Sequence, residues 1–149
     1  MSRFAVIDLG TNTFHLLVVE IKDDKQIVLF KKRTYVSLAS DGISNIGDAP
    51  YQRGLECLNE YASILDEFKV DGLKAFGTAA LRNAKNARSF VIDVKKQTGI
   101  DVEIIDGDRE ALLIHKGVKK VVPFEDTPSL IMDIGGGSVE FIICNKDKV

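Results

Sequence analysis

The sequence predicts a mixed α/β fold, and three observations carry that expectation. Three apolar runs rich in Val, Ile, Leu and Phe, at 3–9, 13–21 and 26–37, stand close together at the start. Two later segments repeat apolar residues at helical spacing. Short apolar runs at 73–77 and 102–105 alternate with those helical segments.

The three leading runs are broken only by Gly10 and by Lys22-Asp23-Asp24-Lys25. Connections this short join antiparallel neighbours, so the runs form a meander. In the second run Phe14, Leu16 and Val18 alternate with Leu17 and Val19, and both faces are apolar, as for a central strand covered on both sides. Helices must therefore follow. Leu55, Leu58, Ala62 and Leu65, with Tyr61 and Phe68, supply one stripe, after Asp48 as the expected cap and Pro50 in the first turn. A second helix begins at Asn86 as N-cap, buries Ala87, Phe90, Val91 and Val94, and stops at Gly99. The strand at 102–105 and a helix over 108–119 complete the series.

This order gives one complete domain over 1–120. Residues 121–128 contain two prolines, Pro123 and Pro128, and read as a linker. Residues 129–149 then read as the opening hairpin of a second, truncated domain, with strands at 129–134 and 138–145. An isolated hairpin is marginal in water. With nothing after it to cover it, it is expected to pair with a neighbouring chain or to be disordered.

Composition narrows the function. The 149 residues are 45% hydrophobic, enough for one core, and the net charge of −2 argues against broad nucleic-acid binding. No apolar run approaches the ~20 residues of a membrane span, and Met1-Ser2-Arg3 leads into a strand without the apolar region of a secretion signal. A cytoplasmic protein is expected. The only cysteines, Cys57 and Cys144, fit buried thiols of a reducing compartment, and with His15 and His115 as the only histidines a Cys- or His-rich metal centre is excluded. The P-loop pattern, His-Glu-x-x-His and Gly-x-Ser-x-Gly are all absent.

The residues that carry chemistry occur as a repeat. Phe4-Ala5-Val6-Ile7-Asp8-Leu9-Gly10-Thr11-Asn12-Thr13 and Leu130-Ile131-Met132-Asp133-Ile134-Gly135-Gly136-Gly137-Ser138 each run from an apolar strand through Asp-x-Gly into a turn of small residues. Gly10, Thr11, Asn12 and Thr13, and likewise Gly135, Gly136, Gly137 and Ser138, offer N–H groups and hydroxyls without bulk, which suits phosphate oxygens. Three successive glycines exceed what a hairpin turn needs, so close approach of a ligand is expected there. Asp8 and Asp133 at the strand ends suit Mg²⁺, which prefers oxygen ligands and shares its remaining positions with water and phosphate. Arg82, in Thr78-Ala79-Ala80-Leu81-Arg82 between a strand and a helix, could clamp phosphate; a solvated arginine is the competing reading. Asp108 and Glu110 open a helix, where the helix dipole alone favours them. His15 reads as a packed core or edge residue.

In order and spacing, Asp8-Leu9-Gly10-Thr11-Asn12-Thr13-Phe14-His15, Gly77-Thr78-Ala79-Ala80-Leu81-Arg82, Asp108-Arg109-Glu110-Ala111 and Asp133-Ile134-Gly135-Gly136-Gly137-Ser138-Val139-Glu140 resemble the exopolyphosphatase and guanosine pentaphosphate phosphohydrolase family. That resemblance implies ribonuclease H-like domains of the actin-like ATPase superfamily, two of which close on a phosphate-bearing ligand. It implies Glu110 as the carboxylate that activates the attacking water, Arg82 as the substrate arginine, Asp133 and Glu140 as groups associated with Mg²⁺ and the reacting water, and the two turns as phosphate loops. The implied reaction is Mg²⁺-dependent hydrolysis of a terminal phosphoanhydride of inorganic polyphosphate or guanosine pentaphosphate, by a homodimer in the full-length protein. Arg109, where the family commonly has an acid, and Val139, where it commonly has Thr, are departures. Family members are longer, so these 149 residues are expected to be a fragment that is inactive alone.

Two other functions are compatible with the residues. An ATP-binding protein of the kinase or actin-like type is separated by tight adenine-nucleotide binding with transfer to an acceptor. A non-catalytic module that senses polyphosphate or an alarmone, permitted by Arg109, is separated by binding without Mg²⁺-dependent phosphate release.

Overall fold

A computed structural model describes residues 2–23 and 25–149. Met1, ahead of the first expected strand, and Asp24, within the break before the third, lie outside the described residues. The elements run β1 (Ser2–Leu9), β2 (Thr13–Lys22), β3 (Lys25–Tyr35), α1 (Asp48–Phe68), β4 (Gly72–Gly77), α2 (Ala79–Asn83), α3 (Ala87–Thr98), β5 (Val102–Ile104), α4 (Gly107–Lys119), β6 (Ser129–Ile134) and β7 (Val139–Cys144). Five strands form one sheet in the order β3-β2-β1-β4-β5, with β1, β2 and β3 antiparallel and β4 and β5 added parallel to β1. This is the mixed α/β sheet that the sequence predicts. The parallel edge follows from helices that cross over between strands, whereas the two hairpins need only short turns.

The core lies between the sheet and the helices α1 and α3. Ile7, Leu9, Phe14, Leu16 and Val18 from the meander meet Leu58, Tyr61 and Phe90, all at most 1% exposed. The expected stripe of α1 is the buried one: Leu55, Leu58, Tyr61 and Leu65 are buried, with Ala62 and Phe68 partly so. Tyr61 also holds the sheet edge, because its hydroxyl donates to Phe14 O (2.9 Å) and lies 3.0 Å from Thr34 Oγ1. Tyr61→Phe removes both of these bonds and is expected to cost about 0.5–1.5 kcal/mol in chemical denaturation, with the m-value unchanged.

Several local expectations are corrected. Asp48 does not cap α1. Gly47 occupies that position without a side-chain bond, and Asp48 is already helical. Asn86 stands at the N-cap of α3, but its side chain instead brackets Ile46, accepting from the N–H (2.9 Å) and donating to the carbonyl (2.9 Å). Asp106 is the residue that caps α4, accepting from Arg109 N at 2.8 Å. The third strand ends at Tyr35 rather than 37, because Val36 and Ser37 leave the sheet to bond the first turn. The short helix α2 has no sequence signature, since Ala79, Ala80 and Leu81 are all buried and show no polar face.

β6 and β7 form a separate two-stranded sheet, and residues 121–128 between it and α4 carry no helix or strand. The hairpin is formed and one face is covered within the chain: β7 lies against α4, with Ile142 and Cys144 buried. His115 of α4 stacks on Phe124, and Lys119 Nζ donates to Lys146 O at 2.7 Å. The expectation of a wholly uncovered hairpin is thus wrong for that face. The other face, with Leu130, Met132, Phe141 and Ile143, is exposed. Among the described residues, no helix is long and apolar enough to cross a membrane. Cys57 and Cys144 are free and buried, and burial pushes the Cys57 thiol up.

Candidate active site

The two Asp-x-Gly turns are built alike. Gly10 N donates to Thr13 O (3.1 Å) and Gly135 N to Ser138 O (3.0 Å). A side chain on Gly10 would place Cβ 2.9 Å from Thr13 O, which the closed turn excludes, and one on Gly135 would lie 3.2 Å from Ser138 O, a tight contact. The first turn is anchored from behind: Val36 N and Ser37 N donate to Asn12 O, and Leu38 N to Thr11 O. With its carbonyls spent in this way, the turn keeps its donors. Among the described residues no protein acceptor meets the N–H groups of Thr11, Asn12, Gly136 and Gly137.

The turns also touch one another. A Cβ on Gly136 would lie 2.5 Å from Asn12 Nδ2, and one on Gly137 2.4 Å from Thr11 Oγ1 and 3.3 Å from Ala79 Cβ. At these two positions the glycines make room for the opposite turn, and the close packing brings two sets of donors to one cleft.

That cleft, about 430 Å³, is lined by both turns and by Asp8, Glu110, Asp133 and Glu140. Strand register explains how the carboxylates arrive. Asp8 pairs across the ladder with His15, and Asp133 pairs in the equivalent place with Glu140, so each turn presents an aspartate and a partner on one face. Glu110 comes from the first turn of α4. Arg82 does not line the cleft directly but stands behind Glu110. Its Nη1 donates to Glu110 Oε2 (2.5 Å) and Ile105 O (3.1 Å), while Nη2 lies 4.0 Å from Glu140 Oε1. The three side chains are 10–21% exposed. The guanidinium therefore joins a carboxylate of the first wall to one of the second.

Arg109 stands apart from the cleft. Its side chain is exposed and away from the cleft lining, and its backbone serves the α4 cap. The sequence reading missed three lining residues: His15, Arg33 and Thr78. His15 is an exposed cleft residue rather than a packed one, with Nε2 3.0 Å from Thr13 Oγ1. The signal was available, because a four-residue turn closing 10–13 fixes the register that sets residue 15 opposite residue 8.

Carboxylates outnumber guanidiniums at the cleft: Asp8, Glu110, Asp133 and Glu140 against Arg82 and Arg33. Asp8 is reached by solvent from the cleft, yet the walls remove much of its hydration. That burial raises its carboxyl above the ordinary range, with Glu110 and Asp133 adding to the rise and His15 opposing it. In the unfolded chain the group titrates near ~3.9. Between that value and the higher native one the folded protein holds a proton that the unfolded chain has lost, so stability falls as pH rises through this window and stays lower above it. Asp8→Asn is thus expected to raise Tm at pH 7 by the equivalent of ~0.5 kcal/mol, discounted for solvent. The gain should vanish below pH ~3.5; a lower Tm at pH 7 would contradict it.

An acidic cleft with free N–H donors fits a hard cation shared with phosphate. Among the described residues no three His, Cys, Asp or Glu side chains converge as a closed metal cage. Mg²⁺ does not require one, since it binds through one or two carboxylates and keeps water and phosphate oxygens.

Comparison with known proteins decides the relationship. The model of the Ppx/GppA phosphatase family matches residues 17–149. The chain belongs to this family. It is 36% identical, over 97% of its length, to the bifunctional 3-dehydroquinate synthase/phosphatase of Fusobacterium nucleatum and covers 23% of that protein. It is 34% identical, over 94% of its length, to the guanosine-5'-triphosphate,3'-diphosphate pyrophosphatase of Photobacterium profundum, of which it covers 28%. Among solved structures, an exopolyphosphatase from Cytophaga hutchinsonii superposes with a TM-score of 0.96 at 47% identity, covering 99% of this chain and 48% of the other. The chain thus spans about half of the solved family member and about a quarter of the curated relatives. Within the family fold, it supplies the five-stranded domain and the hairpin that faces it across the cleft.

Proposed function

We propose that the protein hydrolyses the terminal phosphoanhydride of inorganic polyphosphate or guanosine pentaphosphate in the cytoplasm, and that this chain supplies one wall of the active site and the phosphate turn of the other. The observation that carries the reading is the pair of packed turns with unspent N–H donors beside Glu110 and Asp8. The names of relatives that act on guanosine pentaphosphate and polyphosphate point the same way, and two buried thiols suit a reducing compartment.

The terminal phosphoryl group would rest on the N–H groups of the two turns, which stabilise charge on its oxygens without reorganising. Glu110 accepts the proton of the attacking water, and Arg82, bonded to its far oxygen, holds the carboxylate in one orientation. Asp8, Asp133 and Glu140 would hold Mg²⁺, which would supply neutralisation of the phosphoryl oxygens when bound. Hydrolysis needs no covalent intermediate, so positioning and charge are the protein's contribution.

The test is release of inorganic phosphate from both substrates by the full-length protein, with and without Mg²⁺. Mg²⁺-dependent release from either one supports the assignment. Binding without release would replace it with a sensing module.

A further inference from the structure

The cleft does not end at the turns. A second hollow of about 570 Å³ shares Asp8, His15 and Arg33 with it and continues over Leu17 and Lys31. Register again builds the surface. His15 pairs with Asp8 on one side and with Arg33 on the other, and Leu17 pairs with Lys31, so a row runs from β1 across β2 to β3 on one face of the sheet. Strands lie about 4.8 Å apart, which sets the backbone of Arg33 about 10 Å from that of Asp8.

Charge changes sign along this row. The inner end holds Asp8, Glu110, Asp133 and Glu140, whereas the outer end holds Arg33 and Lys31. Among the described residues neither cation has a carboxylate within ion-pair distance. Lys32, between them in sequence, also borders the hollow, but its ammonium pairs with Glu60 of α1. Arg33 is held in place rather than free to wander. Its guanidinium carbon sits 5.1 Å from the centre of the Tyr35 ring, and Nη2 donates to Tyr35 Oη at 3.3 Å.

We propose that Arg33 and Lys31 form a distal phosphate subsite, which binds phosphate groups of the substrate beyond the one hydrolysed at the turns. The inference rests on the hydrolase reading above and names the part of the substrate that lies outside the reacting centre. An acidic inner end admits the terminal phosphate only with a cation. An unpaired basic outer end attracts the remaining negative charge directly, so a polyanion with several phosphates is oriented with its terminal group inward. The same chemistry can come from the continuing chain of a linear polyphosphate or from the 3′-diphosphate of a guanosine nucleotide.

Isothermal titration calorimetry of the full-length protein with Mg²⁺ tests this, using pyrophosphate, a long linear polyphosphate and guanosine-5'-triphosphate,3'-diphosphate as probes. Arg33→Gln with Lys31→Gln is expected to weaken a multi-phosphate probe tenfold or more while pyrophosphate changes less than twofold. For the long chain, the slope of log Kd against log salt should fall by roughly one per charge removed. Lys96→Gln, on α3 and outside both hollows, should leave all three probes unchanged. A loss confined to the nucleotide assigns the subsite to its 3′-diphosphate, and a loss confined to the long chain assigns it to linear polyphosphate; either supports the proposal. Equal losses for pyrophosphate and the larger probes, or none, would overturn the subsite while leaving the hydrolase reading intact. If the unaltered protein binds none of the probes, the hydrolase reading itself fails and takes the subsite with it.

Discussion

Glu110→Gln in the full-length protein is expected to lower kcat by about a hundredfold or more, the scale of a lost general base. Among the described residues, Glu110 is the one carboxylate of the first wall that both lines the cleft and is bonded to a guanidinium. The amide keeps the shape and one acceptor but cannot take a proton from water at neutral pH. The effect should therefore fall on kcat with KM nearly unchanged, and single-turnover phosphate release should slow by the same factor. Unchanged turnover would remove Glu110 from proton transfer, whereas a rise in KM alone would make it a binding residue.

Arg82→Ala is the second large effect, about a hundredfold in kcat/KM, the scale at which one partner of a hydrogen-bonded charge pair acts. Viewed as a phosphate clamp, Arg82 would act mainly through KM. The geometry predicts a different division. Arg82 bonds Glu110 and approaches Glu140, so its removal leaves two poorly hydrated carboxylates facing each other without a cation. Part of the loss should then appear in kcat, and Arg82→Lys should recover little, because an ammonium lacks the planar fork that serves Ile105 O and Glu110 together. A double-mutant cycle with Glu110→Gln separates the roles. If Arg82 works through Glu110, its removal costs much less in the Glu110→Gln background. Full additivity would instead make it an independent contact to substrate.

What could be read from the chain follows the range of the forces involved. Helices α1 and α3 declared themselves through Leu55, Leu58 and Leu65 and through Phe90 and Val94, since one face of a helix is a local periodicity. The Gly99 stop was equally plain, because a left-handed residue at a helix end favours glycine. Caps were harder to read. Asn86 has the chemistry of a cap, but Ile46 offers its amide both a donor and an acceptor, and a contact 40 residues away won. The short helix α2 escaped detection for a different reason, as five residues, three of them consecutive and buried, are too few to show a helical period.

The order of the strands and longer helices, the doubled Asp-x-Gly turn and most of the groups that line the cleft are written in the sequence. Those features depend on residues a few positions apart, where spacing and turn chemistry act directly. Packing between distant segments sets Gly136 and Gly137 against Asn12 and Thr11, places Arg82 behind Glu110, and makes His15 and Arg33 extend the row begun by Asp8. Each is a contact between segments distant in the chain. Its partner is set by strand register and by the packing of one turn on another, which no local pattern of residues encodes.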